Sequence, residues 1–142
     1  MLALLYAIEK NQHPRMIAFL EQQTKTFAEI GFRFTPPRIL LISLGAGIGE
    51  ELLFRGAFQG WFAHIMPLAL AILIPAIVFG ALHYYNLIYM ILAAVIGVYL
   101  GIAFALTHNI AVPIIAHAVY DIIALHRVNI KILQHRPGYH RE

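Results

Sequence analysis

Four apolar stretches restrict what this sequence can fold into more than any other feature. They run over about residues 38–63, 67–85, 87–106 and 109–125, with short uncharged connections at 64–66, around Asn86 and at 107–109. Each is close to the roughly 20 residues that a helix needs to cross the hydrocarbon core of a bilayer. Of all residues, 61% are hydrophobic and only 12% are charged, whereas soluble domains have about 25% charged residues. We therefore expect an all-α membrane protein, a bundle of about four transmembrane helices.

The rest of the chain forms two polar ends around this predicted core of residues 37–128. Residues 1–36 mix charged and apolar residues, which favours an amphipathic, interfacial N-terminal segment. Gly31 and the pair Pro36–Pro37 are expected to end that segment. Residues 129–142 are predicted to form a basic cytoplasmic tail.

The basic residues lie at both flanks of the apolar region and not in a patch of their own. They precede the first stretch at Lys10, Arg15, Lys25, Arg33 and Arg38, and follow the last at Arg127, Lys131, Arg136 and Arg141. An even number of crossings brings both flanks to one side, which the positive-inside bias identifies as cytoplasmic. We predict an integral protein of the plasma (inner) membrane with both termini in the cytoplasm, a lipid bilayer as its surroundings and no nucleic-acid partner.

Charged residues inside the apolar stretches are few. The first stretch contains Glu50, Glu51 and Arg55, which would cost roughly 8–10 kcal/mol in lipid, against roughly 3–7 kcal/mol gained from its apolar residues. These side chains must therefore face a protein interior or a water-filled cavity. Glu51 and Arg55 are one helical turn apart and are expected to pair. Glu50 points about 100° away from that pair, and an intramembrane acid without a local partner indicates function.

Two histidines complete a candidate site. His83 closes the second stretch and His117 lies in the fourth, one turn before Asp121, which could orient its imidazole. Phe79, one turn before His83, is expected to pack. A carboxylate and imidazoles around one cavity suit water activation, with Glu50 as general base and a histidine steadying the oxyanion. The sequence has no cysteine nucleophile and no G-x-S-x-G, and a paired-aspartate mechanism would need a second aspartate in the stretches.

Three motifs in order carry a family resemblance. Glu50-Glu51-x-x-x-Arg55, Phe79-x-x-x-His83 and His117-x-x-x-Asp121 resemble the signature of the CPBP family, of CAAX prenyl-endopeptidases and bacteriocin-processing or self-immunity (Abi-type) proteins. The resemblance covers about residues 39–121 and implies a helical fold with a cavity open to the cytoplasm. It also implies metal-free peptide hydrolysis by a glutamate-activated water.

The resemblance also implies a role for each motif residue. Glu50 would be the base, supported by Glu51 and Arg55. His83 would bind the water, while His117 and Asp121 would stabilise the oxyanion. Family members are usually longer, so we expect a minimal or truncated member, or one whose N-terminal part docks differently.

Other functions stay open at this level. Glutamate and histidine are also zinc ligands, so a metal-dependent membrane peptidase is one alternative, although we expect no cofactor. A self-immunity or binding protein, or a proton-coupled carrier, would use the same buried acids without hydrolysis. The expected partner is a peptide or protein substrate, with a lipidated C-terminus and a bacteriocin precursor as candidates, and the chain could pair with a second copy.

Overall fold

The structure, a computed structural model, describes residues 1–29 and 34–135. Of these residues 88% are helical and none lies in a strand, which confirms the all-α prediction. The helices are α1 (Leu2–Lys10), α2 (Pro14–Glu29), α3 (Pro36–Glu51), α4 (Gly60–Ile65), α5 (Leu68–Leu82), α6 (Leu87–Thr107) and α7 (Ala111–His135), with a π-helical segment (Leu52–Gln59) joining α3 to α4.

Two helices in the described part of the chain are long and apolar enough to cross a membrane, over Leu87–Thr107 and Ala111–Gln134. Helix α5 is also apolar but shorter. The first predicted crossing is divided among α3, the π segment and α4. Wider π turns leave the apolar composition unchanged, and for this reason the hydropathy of the sequence does not reveal them.

The connections lie where the sequence predicts them. Asn86 caps α6, its side-chain oxygen accepting a hydrogen bond from the Tyr89 amide at 2.9 Å. After α6, His108 adopts a left-handed conformation with φ of 50°. The Asn109 side chain then accepts from the Ala111 amide, at 3.0 Å, as α7 begins. These local bonds occupy backbone groups that the helix ends leave without a partner.

Helix α7 continues ten residues beyond Leu125, where the fourth apolar stretch ends. Arg127 and Lys131, on this continuation, both bind the Glu9 carboxylate of α1. These ion pairs stabilise the polar end of α7, which the hydropathy of the sequence does not predict to be helical. The first residues of the predicted basic tail are consequently helical, while residues 136–142 lie outside the described part.

The chain folds into two compact units. The first comprises the described residues of Met1–Ile42 and of Tyr120–Glu142. Its N-terminal segment consists of two helices, because the chain breaks at residues 11–13 before Pro14 begins α2. Phe34, Ile39 and Ile132 form its core. The predicted break at Gly31 and the flank residue Arg33 lie outside the described residues.

The second unit, Ser43–Val119, contains the predicted site residues from Glu50 to His117. Its helices α5 and α6 pack closely because Gly80 and Gly97 have no side chain at the contact. A Cβ on Gly80 would lie 2.7 Å from the Met90 carbonyl oxygen, and one on Gly97 would lie 3.1 Å from Ala76. Small residues of this kind allow helix backbones to approach within a membrane.

Candidate active site

Four segments of the second unit bring their polar side chains together. The end of α3 contributes Glu50 and Glu51, and the π segment contributes Arg55. His83 follows α5, and His117 lies in the N-terminal half of α7. One or more residues of each sequence motif therefore meet within this unit, including Glu50 and His117, which are 67 positions apart in the chain.

The Glu50 carboxylate lies between the two histidines. Its Oε2 atom is 3.8 Å from Nε2 of His83 and 3.8 Å from Nε2 of His117. These distances are too long for direct hydrogen bonds but short enough for one water molecule to reach all three atoms. Oε2 is buried and accepts no hydrogen bond from any described residue, although the side chain as a whole is 33% exposed.

His83 is held by main-chain and aromatic contacts. Its Nδ1 lies 2.8 Å from the carbonyl oxygen of Phe79, and a carbonyl can only accept, so Nδ1 carries the hydrogen. In the neutral imidazole the lone pair is then on Nε2, the atom that faces Glu50. The rings of His83 and Phe79 also lie against each other, tilted by 34° with their centroids 4.3 Å apart.

Glu51 connects Arg55 to His117. The expected ion pair is present, with Arg55 Nη1 donating to Glu51 Oε1 at 2.9 Å and both side chains buried. The same oxygen lies 2.8 Å from Nδ1 of His117, a contact that the sequence does not predict. Arg55 also donates from Nη2 to the Gly97 carbonyl at 2.7 Å, which anchors the group on α6.

Phe79 closes the apolar side of the site. Its ring is 5.1 Å from that of Phe54, 6.0 Å from that of His117 and 5.3 Å from the Arg55 guanidinium carbon. Edge-on aromatic contacts and a cation over a ring face are both favourable arrangements. The packing expected of Phe79 is present, and the ring also lies against three polar side chains, those of His83, His117 and Arg55.

Gln59 is a polar residue of this region that the sequence analysis missed. It is 3% exposed and donates from Nε2 to the Gly101 carbonyl at 2.9 Å. Arg55 and Gln59, four residues apart, thus bind carbonyls of α6 that are also four residues apart. The available signal is an amide side chain inside an apolar stretch, four residues after Arg55.

Asp121 lies on α7 beyond the second unit, one turn after His117. The carboxylate at Nδ1 of His117 belongs to Glu51, so the orienting role predicted for Asp121 gains no support from that contact. Its part in the site stays a prediction. Among the described residues, no group of three or more His, Asp or Glu side chains is arranged to hold a metal ion.

The fold and the site together define a class of protein, a helical membrane protein with a carboxylate–imidazole cluster among its apolar helices. The model of the Rce1-like family, described as type II CAAX prenyl endopeptidase, matches residues 32–123, which include every motif residue. The chain belongs to this family of membrane-embedded proteases, and the resemblance seen in the sequence is confirmed at that level. Searches of curated proteins and of solved structures gave no match.

Proposed function

We propose that this protein is an intramembrane endopeptidase of the CAAX-protease type, in which Glu50 activates water for hydrolysis of a peptide bond. The observation that carries the proposal is the position of Glu50 Oε2, buried and 3.8 Å from Nε2 of both histidines. A general base needs to reach a water molecule that other groups also orient. Membership of a protease family supports the same reaction class.

The water molecule would donate one hydrogen to Glu50 Oε2 and the other to Nε2 of His83. Nε2 of His83 can accept because its Nδ1 hydrogen is directed at the Phe79 carbonyl. With both hydrogens engaged, a lone pair of the water oxygen is free to point at a substrate carbonyl. His83 thereby binds and orients the water molecule, and Glu50 takes the proton from it as the water attacks the carbonyl.

Hydrolysis then follows in two proton transfers. The water oxygen bonds to the carbonyl carbon of the peptide while its proton moves to Glu50, and the carbonyl oxygen becomes an oxyanion. His117, whose Nε2 faces the same space, would donate to that oxyanion. The carbon–nitrogen bond breaks as the proton on Glu50 passes to the leaving amine, which restores the carboxylate. Asp121 is proposed to support His117 from the next turn of α7.

The reaction is proposed to need no cofactor, and its substrate to be a peptide or protein that reaches the site from the membrane. Candidates are a lipidated C-terminus, as the family description suggests, and a bacteriocin precursor. Two or four crossings both return the chain to one side, so both basic flanks are proposed to face the cytoplasm at the plasma membrane. A second copy of the chain is a proposed partner within the bilayer.

The test is a cleavage assay with protein purified in detergent. A mixed peptide library that includes prenylated and unprenylated C-termini is incubated with wild type, with Glu50→Gln and with Glu29→Gln, each with and without a chelator. Glu29, exposed on α2 and paired with Lys25, is the matched control for loss of a carboxylate. We expect chelator-resistant cleavage by wild type and Glu29→Gln, and none by Glu50→Gln.

Each other result points elsewhere. Cleavage that persists in Glu50→Gln contradicts the glutamate mechanism, and inhibition by the chelator favours a metal-dependent peptidase. If wild type cleaves nothing while it binds a library peptide, and Glu50→Gln binds it equally, a binding or immunity protein is favoured instead.

A further inference from the structure

The imidazole of His117 lies between the carboxylates of two consecutive residues. Nδ1 is 2.8 Å from Glu51 Oε1, and Nε2 is 3.8 Å from Glu50 Oε2. Glu51 is completely buried, and the same Oε1 atom binds Arg55 at 2.9 Å. Successive residues of a helix point about 100° apart, and the ring of His117 occupies the space between their carboxylates.

This arrangement determines which nitrogen of His117 carries a hydrogen. An ionised carboxylate can only accept, so Nδ1 is the donor to Glu51. A neutral His117 would then have a lone pair on Nε2 and could not donate to an oxyanion. For the role proposed above, Nε2 must carry a hydrogen as well, which makes the ring an imidazolium.

The charges around the ring favour that form. Glu50 and Glu51 contribute two negative charges and Arg55 one positive charge, so one carboxylate lacks a counter-charge within this group. The Oε2 atom of Glu50 is buried and accepts no hydrogen bond from a described residue, so its negative charge is costly there and a proton on His117 offsets that charge. His83 differs because its Nδ1 donates to a neutral carbonyl. It keeps the accepting Nε2 that water binding requires.

We propose that Glu51 is a positioning residue that holds His117 as an imidazolium, with its Nε2 hydrogen directed toward the forming oxyanion. Arg55 and the Gly97 carbonyl hold Glu51 in turn. The two histidines of the site thus have opposite roles, His83 as acceptor and His117 as donor. The oxyanion-donor role of His117 rests on the proposed function, but the charge state of His117 can be measured without any substrate.

The test is nitrogen NMR of purified protein labelled with ¹⁵N-histidine, at neutral pH. The chain has eight histidines, and the His117 signals are those that disappear in His117→Gln. An imidazolium gives two protonated nitrogens with similar shifts, whereas a neutral ring gives one protonated and one bare nitrogen with widely separated shifts. We expect the imidazolium pattern for His117 in wild type and in Glu29→Gln, and the neutral pattern in Glu51→Gln.

The kinetic arm separates positioning from stability. In Glu51→Gln we expect kcat to fall about 100- to 1000-fold, the usual effect of losing one oxyanion donor, with KM little changed. A neutral His117 in wild type, or an imidazolium that persists in Glu51→Gln, overturns the proposal. The wild-type spectrum alone shows whether His117 is an imidazolium, even if the Glu51→Gln variant does not fold. If wild type shows the imidazolium but cleaves no peptide, the proposed reaction fails while the assignment of Glu51 stands.

Discussion

Glu50 and Glu51 are neighbours in the chain, but their carboxylates have different surroundings. Glu50 is 33% exposed and directs one buried oxygen at two imidazole nitrogens. Glu51 is 0% exposed and accepts from a guanidinium and from an imidazole. A water molecule can therefore reach Glu50, whereas Glu51 is enclosed by protein. We infer that the first acts on substrate and the second acts through its neighbours.

Arg55→Met tests the structural side of this division. The substitution removes the guanidinium that Glu51 binds at 2.9 Å while the carboxylate stays buried, and breaking a buried pair in this way costs about 3–5 kcal/mol. We expect a loss of that size in unfolding measurements in detergent. The double variant Glu51→Gln/Arg55→Met removes both charges and should recover most of the loss. A double variant as unstable as the single one would show that packing of Arg55, and not its charge, is what matters.

Phe79→Leu distinguishes main-chain from side-chain support of His83. The Nδ1 hydrogen of His83 is held by the carbonyl oxygen of residue 79, which any residue at that position retains. We expect kcat/KM to fall less than about tenfold in Phe79→Leu, but about 100-fold or more in His83→Gln. Equal losses in the two variants would mean that the aromatic ring, which stacks on His83, determines the imidazole direction.

At the scale of elements, the π segment and helix α6 support the site without entering it. The segment begins directly after Glu51 and contains Arg55 and Gln59, which both donate to carbonyls of α6. π turns inside helices often occur at functional sites. Here the π turns lie directly after Glu50 and Glu51, and the bond from Arg55 to α6 holds Arg55 against Glu51.

The contact between α5 and α6 can be tested with one methyl group. A Cβ on Gly80 would meet the Met90 carbonyl oxygen and the Ala94 side chain, both at 2.7 Å. We expect Gly80→Ala to lower the free energy of unfolding by about 1–3 kcal/mol, as overpacked contacts do. In Gly45→Ala, the matched control, the new Cβ has nothing within 4 Å. If both variants unfold alike, close packing at Gly80 does not limit stability.

At the scale of the whole molecule, the parts predicted from the sequence are those that depend on composition and on local spacing. The apolar stretches gave the helical class and the positions of the connections. The four-residue spacing gave the Glu51–Arg55 pair, because residues one turn apart always lie on the same face of a helix. Asn86 marks a break for an equally local reason, because its side chain caps the helix that follows.

What the sequence could not give depends on how distant segments meet. The hydrogen bond between Glu51 and His117 joins residues 66 positions apart, and no periodicity reports it. The bonds from Arg55 and Gln59 to α6 carbonyls likewise depend on helix packing. The extension of α7 past its apolar part follows from ion pairs with Glu9, a residue at the other end of the chain.

The most direct test of the account is the cleavage rate of Glu50→Gln on a peptide that wild type hydrolyses. Glutamine keeps the size of the side chain but cannot take a proton from water, so only the proposed chemistry is removed. We predict a fall in kcat of at least about 100-fold, with the unfolding curve of the variant matching that of wild type. A folded Glu50→Gln that cleaves within tenfold of the wild-type rate would contradict the assignment of Glu50 as the base.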